Sequence, residues 1–344
     1  MTPGEIDQTV ACFLTFTKLS KFKFTHTIKE MLFLLFLAGF IAFLAVFLFA
    51  DADLLTLYYE RFGLKADSLR GKVIWITGAS SGIGEYTAYE LSKVNCSLIL
   101  SARRKSELER VASKCRTLGP VDVVVLPLDV TDATSQKNCF DKIIEQFGRI
   151  DVLYNNAGRS QQADALKTEL KADHDIFDIN FIYCISLAKI VLNHMKEIGS
   201  GQVAFTSSIA GKLGSPRQAM YCATKHALHG WVAATRFELG ETDIILQLLC
   251  PGPVVSDIRK CSFTEVSGKE FGGEDPNAKK KMSTERCAKL MVVAVANKIG
   301  ESWITKQPIL LVTYIGQYIP VLFAWMARTL SGKVVQRLRY GKKD

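Results

Sequence analysis

The chain has 344 residues, 48% of them hydrophobic, and a formal net charge of +9. That apolar content is ample for one large domain plus an extra segment, and no solenoid repeat or low-complexity run divides it. The nine cysteines form no C-x-x-C pair and no metal-ligand spacing, so no metal is expected. The basic excess carries no recognition motif, which argues against a nucleic-acid partner.

In chain order, an N-terminal segment, 1–30, precedes Met31 to Ala50, an uncharged run of Leu, Phe, Ile, Val and Ala. In a helix it would span a bilayer core of about 30 Å. An uncleaved transmembrane anchor is expected; a cleaved signal peptide is the competing reading, with a shorter apolar core of roughly 7–15 residues. Lys18, Lys21, Lys23 and Lys29 precede the run, while Arg61 and Lys65 follow it and Asp51 and Asp53 stand at its exit. That bias predicts a cytosolic N-terminus and a luminal catalytic domain, single-pass in the endoplasmic reticulum membrane. Residues 51–69 read as a linker. Asn95-Cys96-Ser97 fits the glycosylation pattern but enters a strand, and Cys184 and Cys250 read as buried thiols.

The region 70–315 alternates strands and helices. Strands are predicted at Val73–Thr77, Ser97–Ser101, Val121–Pro127, Val152–Asn155, Gln202–Ser207, Ile244–Cys250 and Ile309–Val312. Helices are predicted at Gly82–Lys93, Lys105–Cys115, Ser135–Phe147, His174–Lys196, Tyr221–Gly240 and Thr284–Asn297. Continuous apolar strands alternating with helices imply an α/β fold, a Rossmann-type doubly wound parallel sheet covered on both faces. Ligands of such sheets bind beyond the carboxyl ends of the strands.

Val73–Thr77 runs into Thr77-Gly78-Ala79-Ser80-Ser81-Gly82-Ile83-Gly84 and then into a helix. Strand, glycine turn and helix present backbone N–H groups and a helix N-terminus to a pyrophosphate. The second strand ends in Ser101-Ala102-Arg103-Arg104 rather than in an acid. An acid there would repel a 2′-phosphate, whereas a guanidinium pairs with one, so NADP(H) is expected over NAD(H). Downstream, Tyr221 and Lys225 lie one helical turn apart, with Ser208 thirteen residues before Tyr221. A cation beside the phenol favours phenolate and brings a group of pKa about 10 toward working pH. Ser208 can hold a substrate oxygen. Together they are equipment for moving a proton on or off a carbonyl or alcohol oxygen.

These motifs, with Asp129 in Leu-Asp-Val-Thr, Asn155-Asn156-Ala157-Gly158, Asn180 after Phe177-Asp178-Ile179, and Pro251-Gly252-Pro253, resemble the short-chain dehydrogenase/reductase family over roughly 70 to 300. Ser101–Arg104, the stretch Glu301–Tyr314 and Gln317–Pro320 narrow the likeness to its membrane-anchored member 7 type. The resemblance implies that Ser208, Tyr221, Lys225 and Asn180 are catalytic, with Asn180 anchoring a water and Lys225 also holding the nicotinamide ribose. It implies cofactor contacts at Thr77, Gly78, Ser80, Ser81, Gly82, Ile83, Gly84, Arg103, Arg104, Asp129, Asn155 and Ser256, Arg103 being favoured for the phosphate, Asp129 for the adenine. For Asn155 a structural role stands beside the binding one, and for Ser208 the neighbouring Ser207 is the alternative. His226 and His229 match no motif position and read as ordinary helix residues. The polar stretch Asp257–Met282 reads as a mobile lid or an exposed loop.

The anchor and the apolar residues Ile309 to Met326 predict a lipophilic substrate, and the resemblance implies one of steroid, retinoid or xenobiotic carbonyl type. Residues 316–344 read as a membrane-associated or dimer-forming segment with a basic tail. The alternatives are NAD(H)-dependent alcohol oxidation at the same site and a membrane-tethered scaffold with little turnover.

Overall fold

Seven strands pair in the order β3-β2-β1-β4-β5-β6-β7, all parallel. They are β1 (Val73–Thr77), β2 (Ser97–Ser101), β3 (Asp122–Val125), β4 (Val152–Asn155), β5 (Ser200–Thr206), β6 (Asp243–Pro251) and β7 (Glu301–Ile304). The computed structural model describes residues 29–41, 44–45, 47–119, 121–275 and 277–329. Chain contacts divide it into a unit ending at Ala50 and a second unit from Asp51.

The helices of the second unit are α1 (Leu54–Phe62), α2 (Gly82–Ser92), α3 (Lys105–Leu118), α4 (Ala133–Phe147), α5 (Leu170–Phe177), α6 (Tyr183–Ile198), α7 (Ala219–Leu239), α8 (Thr284–Ala296), α9 (Ile309–Tyr318) and α10 (Pro320–Thr329). α2 packs on α3 and α8 on one side of the sheet, while α4 packs on α6, and α5 on α7, on the other. β1 is buried along its whole length. A strand without a polar side requires covering on both faces, as the alternating pattern predicted. Trp75 sits in this core and donates its indole N–H to Ser101 Oγ at 2.9 Å.

The last strand differs from expectation. Ile309–Val312 is the start of helix α9, and Glu301–Ile304 forms β7. A short apolar run does not separate strand from buried helix by periodicity. The true strand is masked because its polar residues have long-range partners: Ser302 Oγ lies 2.6 Å from Thr56 Oγ1, and Glu301 pairs with Lys212 at 2.8 Å.

The expected linker, 51–69, is an ordered part of the second unit. Asp53 caps α1 by accepting Thr56 N–H at 2.9 Å, and its other oxygen accepts the Trp303 N–H of β7 at 2.6 Å. Arg286 on α8 bonds the carboxylates of both Asp51 and Glu60. These acids tie the segment to the domain, so they are not merely the charged flank of an anchor.

The helix predicted as His174–Lys196 is α5 and α6 joined by a π turn, Asp178–Ile182, which contains Asn180. Among the described residues no helix is long and apolar enough to cross a membrane. Residues 29–41 are helical; 42, 43 and 46 of the expected anchor lie outside the described residues, as do most of the expected N-terminal segment and the basic tail from 330.

Candidate active site

The glycine turn is built for close backbone approach. Gly78 and Gly82 adopt φ of 66° and 59°, the left-handed region that glycine enters without penalty. A Cβ on Gly84 would lie 2.4 Å from the Gly78 carbonyl oxygen. Thr77 Oγ1 accepts the N–H groups of Asn156 and Ala157, each at 3.0 Å, which ties the end of β1 to the end of β4. Ser81 precedes α2 in extended conformation, and its side chain does not cap the helix. The first-turn N–H groups are thus available to an anion, with the helix dipole behind them. Ser256 lies against the turn, its Cβ 3.4 Å from where a Gly82 Cβ would stand.

Arg103 and Arg104 are exposed just beyond β2. Arg104 donates to Ser80 Oγ at 3.1 Å, so the second strand's end and the glycine turn face each other. Burial raises the Asp129 carboxyl pKa, but two hydrogen bonds from Thr131 and the Arg103 charge outweigh it and hold the group below its usual value. Asp129 is therefore an anionic acceptor near the arginines.

Lys225 is buried, and its ammonium donates to the Thr206 carbonyl at 2.8 Å. It lies 5.7 Å from the centre of the Tyr221 ring. Burial pulls its pKa down, although the cysteines Cys184 and Cys250 oppose this. Ser208 is half-buried at the mouth of β5; its Oγ donates to the Pro251 carbonyl at 3.3 Å and accepts Ala210 N–H at 3.1 Å. Ser207 points the other way, into the core, with Oγ 2.9 Å from His229 Nε2. Of the two serines, Ser208 is the one on the accessible side.

Asn180 Oδ1 accepts Arg159 N–H and Nδ2 donates to the Arg159 carbonyl, both at 2.8 Å. A Cβ on Gly158 would crowd Asn180 Oδ1 at 2.9 Å and lie 4.0 Å from Lys225 Nζ, so the π turn brings Asn180 alongside the lysine. Its side-chain amide holds backbone here, and a water-anchoring role does not rest on that amide alone. Asn155 donates from a buried position to the Cys184 carbonyl at 2.8 Å, pinning α6 to β4. Its neighbour Asn156 reaches Thr77 O at 3.0 Å and faces the glycine turn instead.

Two contacts have no counterpart in the sequence motifs. Gln161, 1% exposed, accepts the N–H groups of Met220 and Tyr221 on one side-chain oxygen, at 3.0 and 3.2 Å. His229 contacts Ser207, just past the end of β5, and Cys250 in β6. Within the stretch Asp257–Met282, the part around Cys261 and Phe263 is stitched down. Phe263 exchanges backbone hydrogen bonds with Ser160 and Gln162, and Arg159 donates to the Cys261 carbonyl while its guanidinium lies 4.2 Å from the Phe263 ring centre.

Residues 72–266 match the short chain dehydrogenase family model. The chain belongs to the short-chain dehydrogenase/reductase family. It is 41% identical over 300 residues to human dehydrogenase/reductase SDR family member 7, covering 86% of this chain and 88% of that one. The mouse protein of that name is 43% identical over 298 residues, covering 85% and 88%. A plant relative, 11-beta-hydroxysteroid dehydrogenase 1A of Arabidopsis thaliana, is 33% identical over 276 residues, covering 77% of each chain. Among solved structures, a short chain dehydrogenase/reductase from Burkholderia phymatum in complex with NAD superposes with a TM-score of 0.64 at 22% identity, over 75% of this chain and 96% of that one. An alcohol dehydrogenase from Thermococcus sibiricus complexed with 5-hydroxy-NADP gives 0.60 at 26%, over 69% and 97%. Both share the fold of this short-chain dehydrogenase/reductase.

Proposed function

We propose that this chain is a membrane-anchored oxidoreductase that interconverts a lipophilic carbonyl compound and its alcohol, of steroid, retinoid or xenobiotic type, with NADP(H) preferred. The observation that carries the reading is the Lys225 ammonium, buried beside the Tyr221 ring and bonded to the carbonyl of Thr206 at the end of β5, with the Ser208 hydroxyl two residues beyond.

The residues present fit a dinucleotide. The uncapped start of α2 and the positive-φ glycines would hold its pyrophosphate, Arg103 with Arg104 its 2′-phosphate, and Asp129 its adenine. When bound, the nicotinamide supplies the hydride chemistry. Tyr221 gives a proton to the substrate oxygen in reduction and takes it back in oxidation. Ser208 donates to that oxygen and stabilises its developing charge. Lys225, as a cation, favours the phenolate that Tyr221 becomes after giving up its proton.

Residues 31–50 anchor the chain in the endoplasmic reticulum membrane with the catalytic domain in the lumen. The run of exposed apolar side chains from Met31 to Leu37 supports an apolar environment, and the lysines before it support the orientation. Val321 and Trp325, exposed on α10, are offered to a lipid surface or to a second copy of the chain.

The test is fluorescence titration of the full chain in detergent with NADPH and NADH, beside Arg103→Asp. NADPH binding at least about tenfold tighter than NADH, lost in the variant, is the expected result, since a charge-assisted phosphate contact is worth about 1.5–3 kcal/mol. Equal binding of the two removes the arginine argument and shifts the reaction toward alcohol oxidation. Binding of neither by the folded chain leaves a scaffold.

A further inference from the structure

His229 has more contacts than an ordinary helix residue. It stands one turn after Lys225 on α7, on the face that carries Tyr221 and Lys225. Its Nε2 lies 2.9 Å from Ser207 Oγ, just past the end of β5, and 3.6 Å from Cys250 Sγ in β6. Its Nδ1 lies 3.6 Å from the Glu301 carboxylate at the start of β7. The ring also abuts Gly211, where a Cβ would come within 2.9 Å of both Cδ2 and Nε2. Gly211 closes the turn Ile209–Gly211 that Ser208 caps by accepting Ala210 N–H.

The charges around the ring fix its state. Burial lowers the His229 pKa to about 4, and the cation of Lys212 adds to this, as do His226 and Lys225; Glu301 opposes them. Burial also disfavours the Glu301 anion, but hydrogen bonds from Lys212 and Trp303 outweigh it and keep the carboxylate ionised. Burial holds the Cys250 thiol protonated. An anion facing Nδ1 of a neutral imidazole favours the tautomer protonated there, and that tautomer offers Nε2 as an acceptor to the Ser207 hydroxyl. Ser207 is 2% exposed, and its N–H is fixed to the Leu249 carbonyl at 2.7 Å.

We propose that His229, backed by Glu301, is a positioning residue of the reaction centre: it commits the Ser207 hydroxyl to the core and buttresses the turn at Gly211, so that only Ser208 of the adjacent pair presents its hydroxyl to the substrate oxygen. This rests on the oxidoreductase function proposed above. His229 touches no reacting atom and acts through the backbone of residues 207–211. A displacement of about 1 Å in such a group is enough to cost on the order of 100-fold in rate.

The experiment uses the full chain in detergent, labelled with nitrogen-15 histidine, with the variants His229→Leu, His229→Gln and Ser207→Ala. In the wild type at pH 7 the His229 signal is expected to be neutral, protonated at Nδ1, with an Nε2 shift that moves in Ser207→Ala. His229→Leu is expected to lose about 10- to 100-fold in kcat with NADPH affinity unchanged, and His229→Gln, which keeps an acceptor at that height, to recover most of it. Adding Ser207→Ala to His229→Leu should cost little more. A proton on Nε2, an unchanged kcat in His229→Leu, or a folded His229→Gln no better than His229→Leu would overturn the positioning role. Any of these with normal wild-type turnover leaves the oxidoreductase function standing; a wild type that binds NADPH yet turns over no carbonyl overturns both.

Discussion

Gln161 and Tyr221 are joined through one buried side-chain oxygen, which accepts the N–H groups of Tyr221 and of Met220 before it. These are orphan donors of the first turn of α7, and Gln218, the residue before that helix, does not cap it with its own side chain. The start of the helix that carries Tyr221 is therefore set by a loop far away in sequence. Gln161→Leu removes the acceptor of two half-buried N–H groups and should cost about 1–3 kcal/mol in stability, read by thermal denaturation. Its kcat should fall while NADPH affinity holds, and Gln161→Glu, which retains the acceptor, should recover activity.

Gly84 is a second point where one atom decides the outcome. Its absent Cβ leaves room for the Gly78 carbonyl and the Asn156 amide. Gly84→Ala should force the glycine turn apart, costing about 1–3 kcal/mol and weakening NADPH binding at least about tenfold. Gly148→Ala is the control. Gly148 adopts φ of 71° at the end of α4 with open space around it, so alanine there costs about 1–2 kcal/mol of backbone strain and leaves cofactor affinity alone.

The parts of this site legible in the sequence were those with local spacing. Thr77–Gly84 spans one strand–turn–helix joint, and Tyr221 and Lys225 share one helix face. Gln161 and His229 were not legible, because their partners come from other elements: Gln161 reaches the start of α7, and His229 reaches Ser207 just past β5, Cys250 in β6 and Glu301 in β7. The spacing of His229, one turn beyond Lys225, was the only local signal. The seven-strand parallel sheet followed from continuous apolar strands, but β7 was misplaced because Glu301 and Ser302 satisfy their polar groups through Lys212 and Thr56. The break in the predicted helix His174–Lys196 has a similar cause. Asn180 turns its amide to the backbone of Arg159, a partner invisible to helical periodicity.

Stability should fall with acid in two separable windows. His229 has its pKa lowered from 6.5 to about 4, first by burial and then by Lys212. The unfolded chain takes up that proton near pH 6.5 and the folded chain resists it, so this contribution is present above about pH 6.5 and is lost as pH falls toward 4. Glu60 has its pKa lowered from 4.5 to about 2, chiefly by its hydrogen bond to Arg286. Its contribution is present above about pH 4.5 and is lost as pH falls toward 2. Denaturant midpoints measured from pH 8 to 3 should show both limbs. His229→Gln should flatten the upper one and Glu60→Gln should reduce the lower one, to which Asp129, Glu265, Asp275 and Glu301, all held below their usual pKa, also contribute; a variant that left its limb unchanged would count against the assignment.

The most direct test of the central claim is single-turnover oxidation of NADPH by the full chain with a lipophilic carbonyl substrate, comparing wild type with Tyr221→Phe. The expected result is a loss of at least about 100-fold in rate, in line with removal of a general acid, with NADPH binding unchanged. Turnover by Tyr221→Phe at the wild-type rate would contradict the account, because the proton would then come from a group other than the phenol beside Lys225.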